Sequence, residues 1–151
     1  MKIIEEIMEH PSLDIMKRAI EFGYKNGTVG CVIVKGNEIV TISGGTIFTD
    51  EYDVTGHSEI NAIRKACKIL KTSNLSDCWI YSTYEPCPMC MSAICWAKMK
   101  GVVYAASQSD CNERWTCDVQ IKAKEIILKA NHKPILIEEY CREESLKILS
   151  L

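Results

Sequence analysis

Apolar and polar positions along this chain recur with two different periods, and the switches between the periods mark out a succession of elements. After a short amphipathic stretch that stops at Pro11, Ser12 can cap a helix whose Leu13, Met16, Ala19 and Ile20 return at helical spacing, with Gly27 to end it. Two alternating runs, Val29–Lys35 and Glu38–Ser43, then read as strands joined by Gly36-Asn37, a two-residue hairpin signal. Residues 44–56 carry no period and read as loop. His57 opens a second helix, with Ile60, Ile63, Cys67 and Leu70 on one face and Arg64, Lys65, Lys68 and Lys71 turned outward. A third strand, Trp79–Tyr84, runs directly into Pro86-Cys87, and a third helix follows from about Pro88 to Lys98, with proline well placed at its start. Val102–Ala106 gives a fourth strand, Val119–Ala130 a fourth helix, Ile135–Glu138 a fifth strand and Glu143–Leu149 a final helix.

Strand–helix alternation after an initial hairpin predicts an α/β fold, a three-layer α/β/α sandwich around a five-stranded mixed sheet. The helix between strands four and five makes those two parallel, because a crossover of that length returns the chain to the same end of the sheet. No internal repeat, low-complexity tract or linker divides the sequence, so its 151 residues are expected to form one domain, 1–151.

Composition narrows the picture. The 47% hydrophobic and 25% charged content is that of an ordinary globular protein. Its nine cysteines are odd in number and scattered, several of them in apolar segments where a small thiol buries well, which suggests a reducing, cytoplasmic location. The stretch Met1–His10 carries Glu5, Glu6 and Glu9, wrong for a secretory signal, and no run approaches a membrane span. A net charge of −2 lacks the basic field of a protein that grips a phosphate backbone, although local patches can hide in a neutral total.

Two short segments carry the chemistry. His57-Ser58-Glu59 and Pro86-Cys87-Pro88-Met89-Cys90 together offer three soft metal ligands and one carboxylate. Zinc takes Cys sulfur and His nitrogen in tetrahedral geometry, and a catalytic site keeps three protein ligands with the fourth position open. A structural zinc site would need another ligand pair, yet Cys31, Cys67, Cys78, Cys95, Cys111, Cys117 and Cys141 form no second CxxC. Cys87 and Cys90 alone also fit a thioredoxin-like redox pair, which would not call for His57 and Glu59. His57, Cys87 and Cys90 fall in the first turns of two helices, where the dipole favours thiolates. Two thiolates and a neutral imidazole make a formally neutral site able to activate water near neutral pH. Glu59, about 200° around the helix from His57, is better placed beside the metal than on it and suits proton transfer. A carboxylate in a helix's first turn can equally be there for the dipole.

H-x-E followed by P-C-x-x-C is the signature of the zinc-dependent base deaminases. From about Gly30 through Asp118 the chain resembles the cytidine/deoxycytidylate deaminase superfamily. The run from His57 to Ala66 and the segment from Glu85 to Cys90 look most like bacterial guanine deaminases, and next most like tRNA adenosine deaminases. Ala93-Ile94, Trp96-Ala97 and Val103–Ala106 extend the likeness. The resemblance implies a cytidine deaminase-like sheet, His57, Cys87 and Cys90 as ligands of Zn2+, and Glu59 as catalytic proton shuttle. It places Asp118 where guanine deaminases keep an aspartate for the purine; an aspartate just before a helix is also a good N-cap, and both readings stand. The chain departs from the family at Thr46, where an asparagine usually meets the base and a hydroxyl cannot reproduce an amide's bidentate pattern. It departs again at Thr28-Val29-Gly30, where guanine deaminases often carry an aromatic ring that Trp96 or Trp115 could replace as a stacking face.

The expectation is therefore a zinc-dependent aminohydrolase acting on a small aminated base, guanine first, assembled as a homodimer through the helix carrying Cys95, Trp96 and Met99. A tRNA adenosine deaminase is the enzyme alternative, against which stand the four glutamates between Ile137 and Leu151, with only Arg142 and Lys147 to oppose them. A non-catalytic zinc-stabilised interaction module is the other.

Overall fold

Gly36, at φ +58°, turns the first two strands back on each other, so that β1 (Cys31–Lys35) and β2 (Glu38–Ser43) pair antiparallel as the hairpin signal predicts. The structure is a computed structural model and describes residues 9–49, 52–110, 112 and 116–149. Three further strands, β3 (Cys78–Tyr84), β4 (Gly101–Ala106) and β5 (Ile135–Ile137), complete a sheet in the order β2-β1-β3-β4-β5. β3 runs antiparallel to β1 and parallel to β4, and β4 is parallel to β5. Two crossovers produce the parallel part: α3 (Pro88–Trp96) leads from β3 to β4, and α4 (Ala123–Lys129) from β4 to β5.

Alternation along β3 divides the core into two layers. Cys78 and Ile80 face one way and pack with Ala62 and Ala66 of α2 (Ser58–Leu70), Met91 and Ile94 of α3, and Ala123 of α4. Trp79 and Tyr81 face the other way, against Ile15, Met16 and Ala19 of α1 (Leu13–Asn26), with Tyr140 and Cys141 just before α5 (Arg142–Leu149). α1 is fastened at both ends: the Ser12 hydroxyl accepts from Ile15 N–H, and Gly27, at φ +61°, closes the helix onto Gly23 O. It lies so near β1 that a Cβ on Gly30 would sit 1.9 Å from Ala19 O, so only glycine fits there.

Several boundaries differ from those the pattern predicts. β1 starts at Cys31 rather than Val29, because the Val29 carbonyl accepts from the Ser58 hydroxyl instead of joining the ladder. β3 begins one residue earlier, at Cys78, and β5 ends at Ile137, where the Glu138 carboxylate turns back to the Tyr104 hydroxyl. α3 stops at Trp96 and the chain leaves it through Lys98 at φ +61°. Residues 119–122 are not helical. The Gln108 side-chain amide holds the Ile121 carbonyl at 2.9 Å, and Lys122 N–H donates to Glu125 Oε2, so α4 begins at Ala123. In α2 the deepest residues are Ser58, Glu59, Ala62 and Ala66, one position off the expected stripe of Ile60, Ile63, Cys67 and Leu70. Small side chains let the helix approach the sheet closely, and Ile63, Cys67 and Leu70 close the flank of that contact.

Candidate active site

The ends of β3, α2 and α3 converge at one edge of the sheet. His57 and Cys87 are the N-cap residues of α2 and α3, and neither side chain caps its own helix. Freed from capping, both reach into the gap between the helix starts, and Cys90 joins them from the first turn of α3. His57 Nδ1 lies 3.6 Å from Cys87 Sγ and 3.5 Å from Cys90 Sγ. Zn–S bonds of about 2.3 Å and a Zn–N bond of about 2.0–2.1 Å at the tetrahedral angle would set nitrogen and sulfur about 3.6 Å apart. The two nitrogen–sulfur separations thus match edges of a zinc tetrahedron, and among the described residues these three are the group able to hold such an ion.

Charge in the trio is arranged for a cation. Hydrogen bonding from Cys90, with help from His57, draws the Cys87 thiol down to about 4 despite its burial. Its bond to Cys87, reinforced by burial and by the negative charge of Glu59, drives the Cys90 thiol up. The His57 imidazole is raised by its bond to the Cys87 thiolate. A divalent ion among them would displace the remaining thiol proton and make both sulfurs ligands.

Glu59 stands beside the trio, 4% exposed. Its Oε1 accepts from the Ser82 hydroxyl at 2.9 Å, and Cys90 lies close on the other side. Burial raises its carboxyl above the ordinary range, with the Ser82 bond opposing. A carboxyl whose protonated form is made accessible can both take and return a proton. Behind the Pro86-Cys87 turn, buried Glu85 accepts from Gln108 N–H at 3.0 Å, Ala123 N–H at 2.8 Å and the Ser107 hydroxyl at 3.2 Å. That carboxylate ties the Pro86-Cys87 turn to the segment leading into α4.

The remaining candidates are scattered. Thr46 lies at the rim of a cleft of about 440 Å³, together with Asn26, Thr28 and Phe48. Its hydroxyl accepts from the Asn61 side-chain amide at 2.9 Å, and the same amide holds the Gly44 carbonyl at 2.9 Å. Asn61, one turn along α2 from His57, thus organises the loop that carries Thr46. Asp118 is exposed and is not the N-cap of α4, which is Lys122. Burial raises the thiol of its neighbour Cys117, and the charges of Cys87 and Asp118 add to the shift. Trp96 is not brought to the trio. At the far end of α3 and 82% exposed, it lines a separate cleft of about 380 Å³ with Lys98, Lys129 and His132. Trp115 lies outside the described residues. Sequence reasoning passed over Ser82 and Asn61; the signal for Ser82 was a polar residue in the register of the apolar Cys78 and Ile80, on the site-facing side of the strand.

Comparisons agree with this geometry. The guanine deaminase of Bacillus subtilis (strain 168) is 48% identical over 87 residues, which cover 58% of this chain and 55% of that protein, so the match spans just over half of the relative's length. The tRNA-specific adenosine deaminase of Rickettsia bellii (strain RML369-C) is 41% identical over 98 residues, 64% of this chain and 68% of that one. Among solved structures, the X-ray structure of guanine deaminase from Bacillus subtilis superposes with a TM-score of 0.64 at 35% identity, covering 76% of this chain and 83% of the other. Guanine deaminase from Nitrosomonas europaea superposes with a TM-score of 0.80 over 97% of this chain and 87% of the other; at 17% identity it shows the fold alone. The family model for the cytidine and deoxycytidylate deaminase zinc-binding region matches residues 1–106, and with its mixed sheet and its His/Cys/Cys trio this chain belongs to that family.

Proposed function

We propose that this chain is a zinc-dependent aminohydrolase that releases ammonia from a free nucleobase or related aminated heterocycle, with guanine, converted to xanthine, the leading substrate. The observation that carries the reading is the joint placement of His57, Cys87 and Cys90 at tetrahedral spacing with buried Glu59 at their side. The likeness to the Bacillus guanine deaminase in both sequence and structure supports the choice of base.

His57 Nδ1 and the two sulfurs would hold the ion, which when bound supplies Lewis acidity and water activated for attack near neutral pH. Glu59 would take a proton from the attacking water on a carboxylate oxygen and deliver it to a ring nitrogen of the base, which makes the amino-bearing carbon electrophilic. It would then take the proton of the hydroxyl newly bonded to that carbon and pass it to the amino nitrogen, so that the carbon–nitrogen bond breaks, a carbonyl forms and ammonia leaves. The buried walls around Glu59 keep bulk water from competing for the proton. Asp118 is available to the outer edge of the base or to the proton path, and Thr46 offers a hydroxyl from the cleft rim. We take the working unit to be a homodimer, supported by the exposed Trp96 and Leu128 on the adjoining helices α3 and α4. Light scattering checks this, with a monomer the contrary result.

A second reading, a tRNA-specific adenosine deaminase, is favoured by the Rickettsia likeness. Against it stand the net charge of −2 and the glutamates at the start of α5. Ammonia release from zinc-loaded protein decides, using guanine, adenine, cytosine, their nucleosides, aminated pterins and triazines, and a tRNA anticodon stem-loop. Turnover of a free base is expected. With Thr46 in place of the family's asparagine, guanine turnover should be weaker than in a typical guanine deaminase, or displaced towards another heterocycle, because a site built for hydrogen bonds loses discrimination when a partner is missing. Activity on the stem-loop with none on any free base would reverse the order of the two readings.

A further inference from the structure

The Glu59 carboxylate is bounded by Cys90 and His57, which belong to the metal group, by Cys31, whose thiol is raised by burial and by the Glu59 charge, and by the hydroxyl of Ser82. Cys31 and Ser82 face each other across the β1–β3 ladder, and both are 0% exposed, so they form a rigid floor beneath the carboxylate. Ser82 is the hydrogen-bonding part of that floor: its Oγ is 2.9 Å from Glu59 Oε1. Strand alternation alone aims it there, since Cys78 and Ile80 occupy the same face four and two residues earlier.

We propose that Ser82 is a positioning residue for Glu59, a role that rests on the proton-shuttle reading of the site. Glutamate has three rotatable side-chain bonds, and a misplacement of about 1 Å in a catalytic group can cost about 10²-fold in rate. Ser82 fixes the carboxylate from the strand, where the backbone is held on both sides by neighbouring strands. Ser82 Oγ is 2.7 Å from the Tyr84 carbonyl as well as 2.9 Å from Glu59, so its single proton has two acceptors within reach. The same hydroxyl thus joins the Glu59 carboxylate to the strand's own backbone. An alanine would leave the buried carboxylate short of a donor.

Ser82→Ala, Ser82→Thr and Ser82→Val, each loaded with zinc, test the assignment on the free base that the wild type turns over best. Ser82→Ala is expected to lower kcat about 10²-fold, with KM and zinc occupancy nearly unchanged. Ser82→Thr should restore most of kcat, and Ser82→Val, which matches threonine in shape but has no hydroxyl, should not. Unchanged kcat in Ser82→Ala, a loss that follows zinc occupancy, or equal rescue by valine would each overturn the proposal. A crystal structure of zinc-loaded Ser82→Ala gives an answer that needs no substrate. Glu59 displaced or split among rotamers supports the role, and a carboxylate still in place refutes it. A wild type that releases ammonia from none of the bases would sink the proposed function, while the crystallographic result would still decide whether Ser82 positions Glu59.

Discussion

The two faces of β3 are built from one strand and differ in what they can tolerate. On the far face, Trp79 and Tyr81 meet Ile15, Met16 and Ala19, and the polar groups serve as anchors: the Tyr81 hydroxyl accepts from Ser12 N–H at 2.8 Å while His10 stacks on Trp79 at 4.9 Å, and the Thr83 hydroxyl accepts from Gly30 N–H at 3.0 Å. That arrangement fixes where α1 starts and offers no open position for a reaction. The site face is apolar along its first half, through Cys78 and Ile80, and turns polar only at its C-terminal end with Ser82. There the sheet gives way to the starts of α2 and α3, and Glu59 and the trio occupy the gap. On the site face, polarity is thus confined to the carboxyl end of the strand, beside the starts of α2 and α3.

If the faces divide the labour this way, substitutions on one should change chemistry and on the other stability. Cys90→Ser should have the largest effect: zinc content measured by atomic absorption falls towards zero and ammonia release is lost. A fully loaded mutant would remove Cys90 from the ligand set. Glu59→Ala should retain zinc and cost about 10²–10⁴-fold in kcat; loss of zinc together with activity that returns on remetallation would show that Glu59 is a ligand and not a shuttle. On the far face, Met16→Ala, at a position with 0% exposure, should lower unfolding free energy in urea by about 2–5 kcal/mol. Its kcat and zinc content at 25 °C should match the wild type, and a kcat loss comparable to that of Glu59→Ala would erase the division between faces. The smallest effect is expected at Asp110, which Arg142 engages with two hydrogen bonds and whose carboxyl Arg142 and Ser107 N–H hold below 3.8. A carboxyl depressed in the folded state adds stability above its unfolded value, and that increment disappears as pH falls through the folded one. Asp110→Asn should therefore be less stable than wild type at pH 7, and the gap should close in thermal melts below about pH 3.8; a gap that persisted in acid would point to a cause other than charge.

The sheet was legible because its signals are local: Gly36-Asn37 for the hairpin, and crossovers long enough to impose parallel pairing on β4 and β5. The trio was legible because metal ligands need particular residue types at particular spacings, and the structure assembles the same three. What escaped depends on distance through space. The buried stripe of α2 was misjudged by one position because bulk hydrophobicity pointed to Ile60, whereas close approach to the sheet selects Ala62 and Ala66. Residues 119–122 look helical in pattern, yet Gln108, more than ten positions away, takes the Ile121 carbonyl and delays the helix. Thr46 reads as a lone substitution until Asn61 is seen holding its hydroxyl. Ser82 and Glu59 are separated by 23 residues, and no periodicity links them.

The starts of α2 and α3 forgo a side-chain cap, and both do so at residues that face the same gap. An ordinary N-cap contributes about 0.5–2 kcal/mol to a helix, so α2 and α3 begin with a local deficit. A cation gripped by His57, Cys87 and Cys90 would act on that deficit as a rivet, closing a chain loop of 30 to 33 residues much as a disulfide does. Chelation would then loosen the seam between two helices as well as stop a reaction, and loss of the ion would register in the cooperativity of unfolding.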